Sequence, residues 1–297
     1  MKNKINPSED VLAWGGLVAL SLIWGSSFIL IKRGVEVYSP EVVGSLRVAI
    51  AGLALLPFVI KNLKGVSGKQ WRFLLIVGLF GNLIPAYLFA KAETQLSSSV
   101  TGVLNALTPL NVMLIGVLAF GQTFVRNKVW GLLLAFGGAV ALAVLADQKS
   151  EDFSANTYAI YVLLATLCYG ISANVIKYRL GELRAVAVAA LAFLTILPIS
   201  CGYLFFSDFT EVLQTHAEGW SALGYISILA VIGTAFALVI FNTIIKIKSP
   251  VFAAVVTYLI PIVAIFWGIL DGETLNLYQV IAIGVILGGV FWTNRAK

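Results

Sequence analysis

The sequence predicts an all-α membrane protein of ten transmembrane helices, arranged as two inverted five-helix repeats. Three observations carry this. The chain of 297 residues is 60% hydrophobic and only 11% charged, whereas a soluble domain runs about 45–50% apolar and about 25% charged. Ten apolar runs of helical length follow one another with short breaks. The second half repeats landmarks of the first.

The composition excludes a soluble enzyme and a fibrous or disordered chain, because 20 basic and 14 acidic residues cannot hydrate the surface of a soluble fold this long. The runs fall at 12–32, 40–60, 70–90, 98–120, 128–146, 156–177, 185–206, 219–241, 249–270 and 275–293. Each is long enough to cross about 30 Å of hydrocarbon as a helix, and none alternates in polarity as a barrel strand would. The breaks carry turn and charge signals: Tyr38-Ser39-Pro40, the stretch 61–69, Asp147 to Asn156, Phe206 to Gly219, and Asp271-Gly272. The first run lacks a small-residue cleavage pattern and is read as a retained span.

An alternating ten-span path with a cytoplasmic N-terminus gathers the basic residues on one side. Of the 20 Lys and Arg, only Lys32, Arg33, Arg47, Lys91 and Lys149 fall on the other. By the positive-inside rule both termini are expected in the cytoplasm, with the protein in the cytoplasmic (inner) membrane. The net charge of +6 therefore reads as membrane orientation and not as a nucleic-acid surface.

Ser21, Trp24, Gly25, Ser27 and Lys32 recur at a constant offset as Thr166, Tyr169, Gly170, Ser172 and Lys177. A second constant offset pairs Gly81 with Gly233, Phe89 with Phe241, Ser97 with Ser249, Pro109 with Pro261 and Gly116 with Gly268. The first repeat is drawn at 1–147, the second at 156–297, with a short external linker at 148–155. Five helices per repeat is an odd number, so the second copy is inverted. Inverted repeats are the architecture of alternating-access carriers, with cargo bound near the midplane between the repeats.

These residues carry a resemblance. IWGSSFILIK at 23–32, Arg47, Pro109, and the ending DGETLNLYQVIAIGVILGG at 271–289 resemble the EamA family of the drug/metabolite transporter superfamily. Gln122 departs from the pattern, standing where the second repeat has Glu273. The resemblance implies transport of a small molecule, such as an amino acid, drug, nucleotide sugar or other metabolite. Aromatic amino acid exporters are one similar subgroup, and export is expected on that analogy alone.

Candidate cavity residues follow from polar and aromatic side chains that lipid cannot satisfy. Trp24 and Phe28, with Tyr169, fall on matching helical faces and supply stacking surface. The other reading is an interfacial aromatic or plain packing. Asn105 and Thr108 share a face with Thr101 just before Pro109. Asn174, Asn242 and Tyr258 are further candidates, and each alternatively makes an interhelical hydrogen bond. Pro109 and Pro261 are expected to break their helices, since proline lacks an N–H. Lys32 and Lys177 are expected at opposite faces, drawing in anions, pairing with carboxylates, or snorkelling to the interface. For Arg47 a structural partner, with Glu36 or Glu41 as candidates, outweighs cargo contact. Gly284, Gly288 and Gly289, with Gly131, Gly137 and Gly138, favour close packing of the repeats over a homodimer contact.

No Asp or Glu lies mid-span, so no buried carboxylate relay is expected and substrate exchange should survive collapse of a proton gradient. His216 is the single histidine and lies in a loop. With Cys168 and Cys201 in apolar runs, no metal, cofactor or catalytic site is expected. The competing functions are an intramembrane enzyme, which lacks its constellation, and a sensor or scaffold that binds ligand without moving it. The walls suit a zwitterionic or weakly polar cargo; a polyanion would want more buried Lys and Arg.

Overall fold

The computed structural model describes residues 7–123 and 157–295, together with 130, 131, 133, 134, 137, 138 and 141. Among the described residues there is no strand. Among the described residues eight helices are long and apolar enough to span a membrane. They are α1 (Val11–Val35), α2 (Pro40–Asn62), α3 (Gly68–Ala92), α4 (Ser98–Phe120), α5 (Ala159–Arg179), α6 (Ala185–Phe206), α8 (Gly219–Ile247) and α9 (Pro250–Leu270). A short surface helix, α7 (Phe209–Thr215), lies in the break before α8. The final helix, α10 (Leu277–Arg295), corresponds to the last predicted run. The linker at 148–155 and most of the run 128–146 lie outside the described residues.

Serines start several of these helices, because a side-chain oxygen can take an N–H that the helix leaves without a partner. Ser39 accepts from Val42, and Ser67 forms a reciprocal capping box with Gln70. Ser97 accepts from the Val100 N–H and Ser249 from the Phe252 N–H, so the repeat-related serines do the same work. Pro57 and Pro198 sit inside α2 and α6, which pack on one another along their length.

Among the described residues α1 is interrupted at Ser26, and four further helices carry a π or 3-10 turn at mid-span. A π-helical turn interrupts α3 at Leu79–Leu83 and α8 at Val231–Phe236. A 3-10 turn interrupts α4 at Asn105–Leu107 and α9 at Val255–Tyr258. Pro109 and Pro261 each fall in the first turn of the helix that resumes after the 3-10 turn. The irregularities obey the same repeat as the sequence landmarks.

Side-chain contacts fix the direction of the helices. α9 begins beside Lys177, whose Nζ donates to the carbonyls of Ile245, Lys246 and Lys248 at 3.2–3.3 Å. It ends beside Lys32, which binds Asp271 at 2.6 Å. Lys32 and Lys177, each near the C-terminal end of its own helix, therefore lie at opposite ends of the bundle. The repeats are thus inverted. We call the two ends the acidic mouth (Asp271, Glu273) and the basic mouth (Lys177, Lys246). Gly138 lies so close to Ile286 of α10 that an added Cβ would stand 2.9 Å from its backbone nitrogen, which brings the repeats together there. Gly137, Gly284 and Gly288 meet nothing within 4 Å.

Orientation in the membrane is testable at two exposed breaks. A single cysteine at Lys64, in a chain lacking Cys168 and Cys201, is expected to resist an impermeant thiol reagent in intact cells. A cysteine at Thr215 is expected to react. The opposite pattern contradicts the charge-based orientation.

Candidate functional site

The irregular segments surround one cavity of about 90 Å³, lined by side chains from both repeats. A single buried water needs only roughly 10–15 Å³ of such space. The π turns bring Gly81 and Gly233 to the wall, and each faces the serine of the other repeat's first helix. A Cβ on Gly233 would stand 2.9 Å from the Ser27 hydroxyl, and a Cβ on Gly81 would collide with that of Ser172. Bare glycine is thus required for the backbone to approach this closely.

The aromatic wall follows the repeat. Trp24 meets Phe241 edge-on, with ring centroids 5.1 Å apart. The related pair, Tyr169 and Phe89, is stacked at 5.9 Å, and Phe28 lies edge-on to Phe89. The indole N–H of Trp24 donates to the Gly233 carbonyl at 2.8 Å, tying α1 to the π turn of α8.

Polar groups punctuate the wall. Thr108 Oγ1 donates to the Asn105 carbonyl at 2.7 Å. Asn242 lines the cavity with its Oδ1 free of any hydrogen bond among the described residues. Arg47 also lines it and donates from Nε to Thr234 Oγ1 at 2.8 Å. Among the described residues no carboxylate lies within ion-pair distance of that guanidinium.

The acidic mouth is closed by charge. Lys32 binds Asp271 at 2.6 Å and Glu273 at 3.1 Å, and Arg33 also binds Asp271. Glu273 in addition accepts the backbone N–H groups of Ser98 and Ser99 and the Ser99 hydroxyl, so it caps α4 while holding α1. Among the contacts of the described residues the basic mouth is closed by backbone carbonyls. Lys177 meets the carbonyls at the end of α8, and Lys246 donates to those of Leu180, Gly181 and Leu183. Gln122 donates to Asn174 and to the Tyr178 hydroxyl, both at 3.0 Å.

Of the residues selected from sequence, Trp24, Phe28, Asn105, Thr108, Tyr169 and Asn242 come together on the cavity wall. Asn174 does not. Its amide is buried between α4 and α5, donating to the carbonyls of Val112 and Gly170, so its role there is interhelical packing. The Tyr258 side chain lies outside the described residues. Arg47 is corrected as well: Glu36 is taken by Arg33, and the arginine turns to Thr234 and the cavity. Sequence reasoning did not select Asn82, Phe89, Phe241, Thr234 or Thr257, all on the wall. The repeat pairing of Phe89 with Phe241 and of Gly81 with Gly233 was the available signal for that part of it. Glu93, the residue after α3, is also buried despite its place at a helix end.

Comparison with known proteins places this geometry. The model of the EamA-like transporter family matches residues 13–144 and again residues 156–295. An uncharacterized transporter of Archaeoglobus fulgidus is 27% identical over 96% of this chain and 99% of its own. The uncharacterized inner membrane transporter YedA of Escherichia coli (strain K12) is 29% identical over 96% of this chain and 91% of its own. A crystal structure at 16% identity superposes with a TM-score of 0.64 over 97% of this chain and 96% of that one, which shows a shared fold. With both repeats matched along nearly the whole length, the chain belongs to the EamA-like transporter family.

Proposed function

We propose that the protein carries a small organic metabolite, an amino acid or related compound, across the cytoplasmic membrane by alternating access. The observation that carries this reading is a cavity lined by polar and aromatic side chains of both inverted repeats, with a different closure at each mouth. The positive-inside rule puts the basic mouth in the cytoplasm. The outward direction of transport rests on the resemblance to exporters. Among the described residues no carboxylate, histidine or cysteine lines the cavity, which favours carriage over intramembrane catalysis.

The wall supports a zwitterion with an apolar body. Arg47 presents a guanidinium suited to one carboxylate, since its planar fork matches the two oxygens. Asn242 Oδ1 offers an acceptor to an ammonium. The Trp24–Phe241 and Tyr169–Phe89 pairs offer faces and edges to a hydrocarbon or aromatic side chain. One cavity cation does not balance a polyanion.

A counterflow screen in proteoliposomes with pooled metabolites is expected to find cargo among amino acids. Methyl esters of the cargo, lacking the carboxylate charge, should compete poorly. Arg47→Gln should weaken apparent affinity roughly 10- to 100-fold, the range of a lost charged hydrogen bond. A cargo without an anionic group, or an unaffected Arg47→Gln protein, contradicts the assignment.

The aromatic walls give a separate test. Trp24→Leu and Tyr169→Leu keep apolar area and remove the ring. Each should lower apparent affinity roughly 2- to 12-fold, the stacking term of about 0.5–1.5 kcal/mol. Uptake per folded molecule with unchanged affinity in both variants would show that these rings do not touch cargo.

A further inference from the structure

Glu93 follows the last residue of the α3 span and caps its C-terminal end, where the helix dipole disfavours a negative charge. Its backbone N–H donates to the Phe89 carbonyl at 3.0 Å, so it stands one turn from the ring stacked on Tyr169. The residue is 5% exposed. Oε2 meets the Ser98 hydroxyl at 3.4 Å, a long contact, and Oε1 has no hydrogen bond among the described residues.

Among the described residues no Lys or Arg lies within ion-pair distance of its carboxylate. Lys32 of α1 is held by Asp271 and Glu273, Arg33 by Glu36 and Asp271, and Arg47 of α2 donates to Thr234. Ser98 connects two carboxylates: its hydroxyl meets Glu93 and its N–H donates to Glu273 at 3.0 Å. An ionised carboxylate left buried without a partner is costly, and a second one nearby adds repulsion. Burial, then the charge of Glu273, hold the Glu93 carboxyl well above the usual carboxylate range; the Ser98 hydroxyl, Lys32 and Arg47 pull it the other way. Tyr169 of α5 in turn interacts with Arg47.

We propose that Glu93 is a proton-binding site that governs the acidic mouth, holding a proton while the Lys32–Asp271–Glu273 latch is closed and releasing it as the latch opens to solvent. Ionised Glu93 repels Glu273 and competes for Lys32, so its charge works against closure. The carboxyl is raised in the closed state relative to a hydrated, open one. The proton's stabilisation of closure is therefore complete below the open-state value and is lost as pH rises through the closed-state value. Each unit of difference between the two states changes the closed-to-open ratio about tenfold. This inference also revises the expectation that no buried carboxylate takes part.

The proposal rests on the alternating-access reading, but its test needs no cargo. Spin labels on cysteines at Gln95 and Thr274, exposed positions beside Glu93 and Glu273, report the width of the mouth. The full chain, lacking Cys168 and Cys201, is placed in lipid nanodiscs and its label distances are measured by pulsed electron resonance from about pH 5 to about pH 9. In the otherwise wild-type chain the long-distance population should rise with pH, changing the ratio by about tenfold or more. Glu93→Gln, which keeps the shape and removes the charge, should stay at the short distance throughout. A distribution that ignores pH overturns the proposal, as does a Glu93→Gln chain that shifts like the parent. A protein that shows the shift but moves nothing in counterflow keeps this gate and loses the carrier reading.

Discussion

A backbone carbonyl freed inside hydrocarbon has no water to turn to, so a membrane helix departs from regularity only where protein or a wet cavity can satisfy it. Among the described residues four helices do so through a π or 3-10 turn at mid-span, and all four turns face the same cavity. In each case a polar residue of the wall returns a hydrogen bond to its own helix. Asn82 donates to Val77, Thr108 to Asn105, Thr234 to Leu229 and Thr257 to Ala254. Trp24 adds a bond across the repeats to Gly233. The side chains that line the cavity therefore also make the irregular backbone possible, which couples stability of the broken helices to the chemistry of the wall.

The repeat builds two mouths from the same parts, and one substitution between the copies separates them. Glu273 in the second repeat brings a charge that clamps Lys32 and caps α4 together. Gln122 in the first brings only an amide, so it turns to Asn174 and Tyr178. Lys177 is then left to the negative end of α8, where helix carbonyls supply partial charge. A lock of full charges at one mouth faces a lock of dipoles at the other. The charged lock is partly buried, with Glu273 and Asp271 about one-tenth exposed, so solvent screens it less than a surface pair.

Much of this was legible in the sequence. Composition and run length give the class of fold, and the repeat offsets give the pairing of Trp24 with Tyr169 and of Pro109 with Pro261. The pairing of Lys32 with carboxylates was one of the readings weighed for it. The π turns were not legible, because LFGNL and VIGTAF carry no signature beyond a glycine each. Asn174 was misplaced because helical periodicity assigns a face but not which neighbour covers it. Glu93 lies just past the end of an apolar run, where the sequence pattern does not signal burial. It meets Ser98 at the start of α4, which in turn binds Glu273, contacts that local pattern does not contain. Arg47 was offered partners by proximity along the chain, whereas the hydrogen bond it makes reaches α8.

The central claim is that one cavity is served by two mouths in turn. Ser172 lines that cavity and is buried from both ends. The direct measurement places a cysteine at Ser172, in a chain lacking Cys168 and Cys201, and exposes sealed vesicles of each orientation to an impermeant thiol reagent. Reaction from both faces, with reagent at either face consuming the same thiol, is the result the account predicts. Reaction from one face alone, whatever the orientation of the vesicle and the presence of cargo, would contradict it.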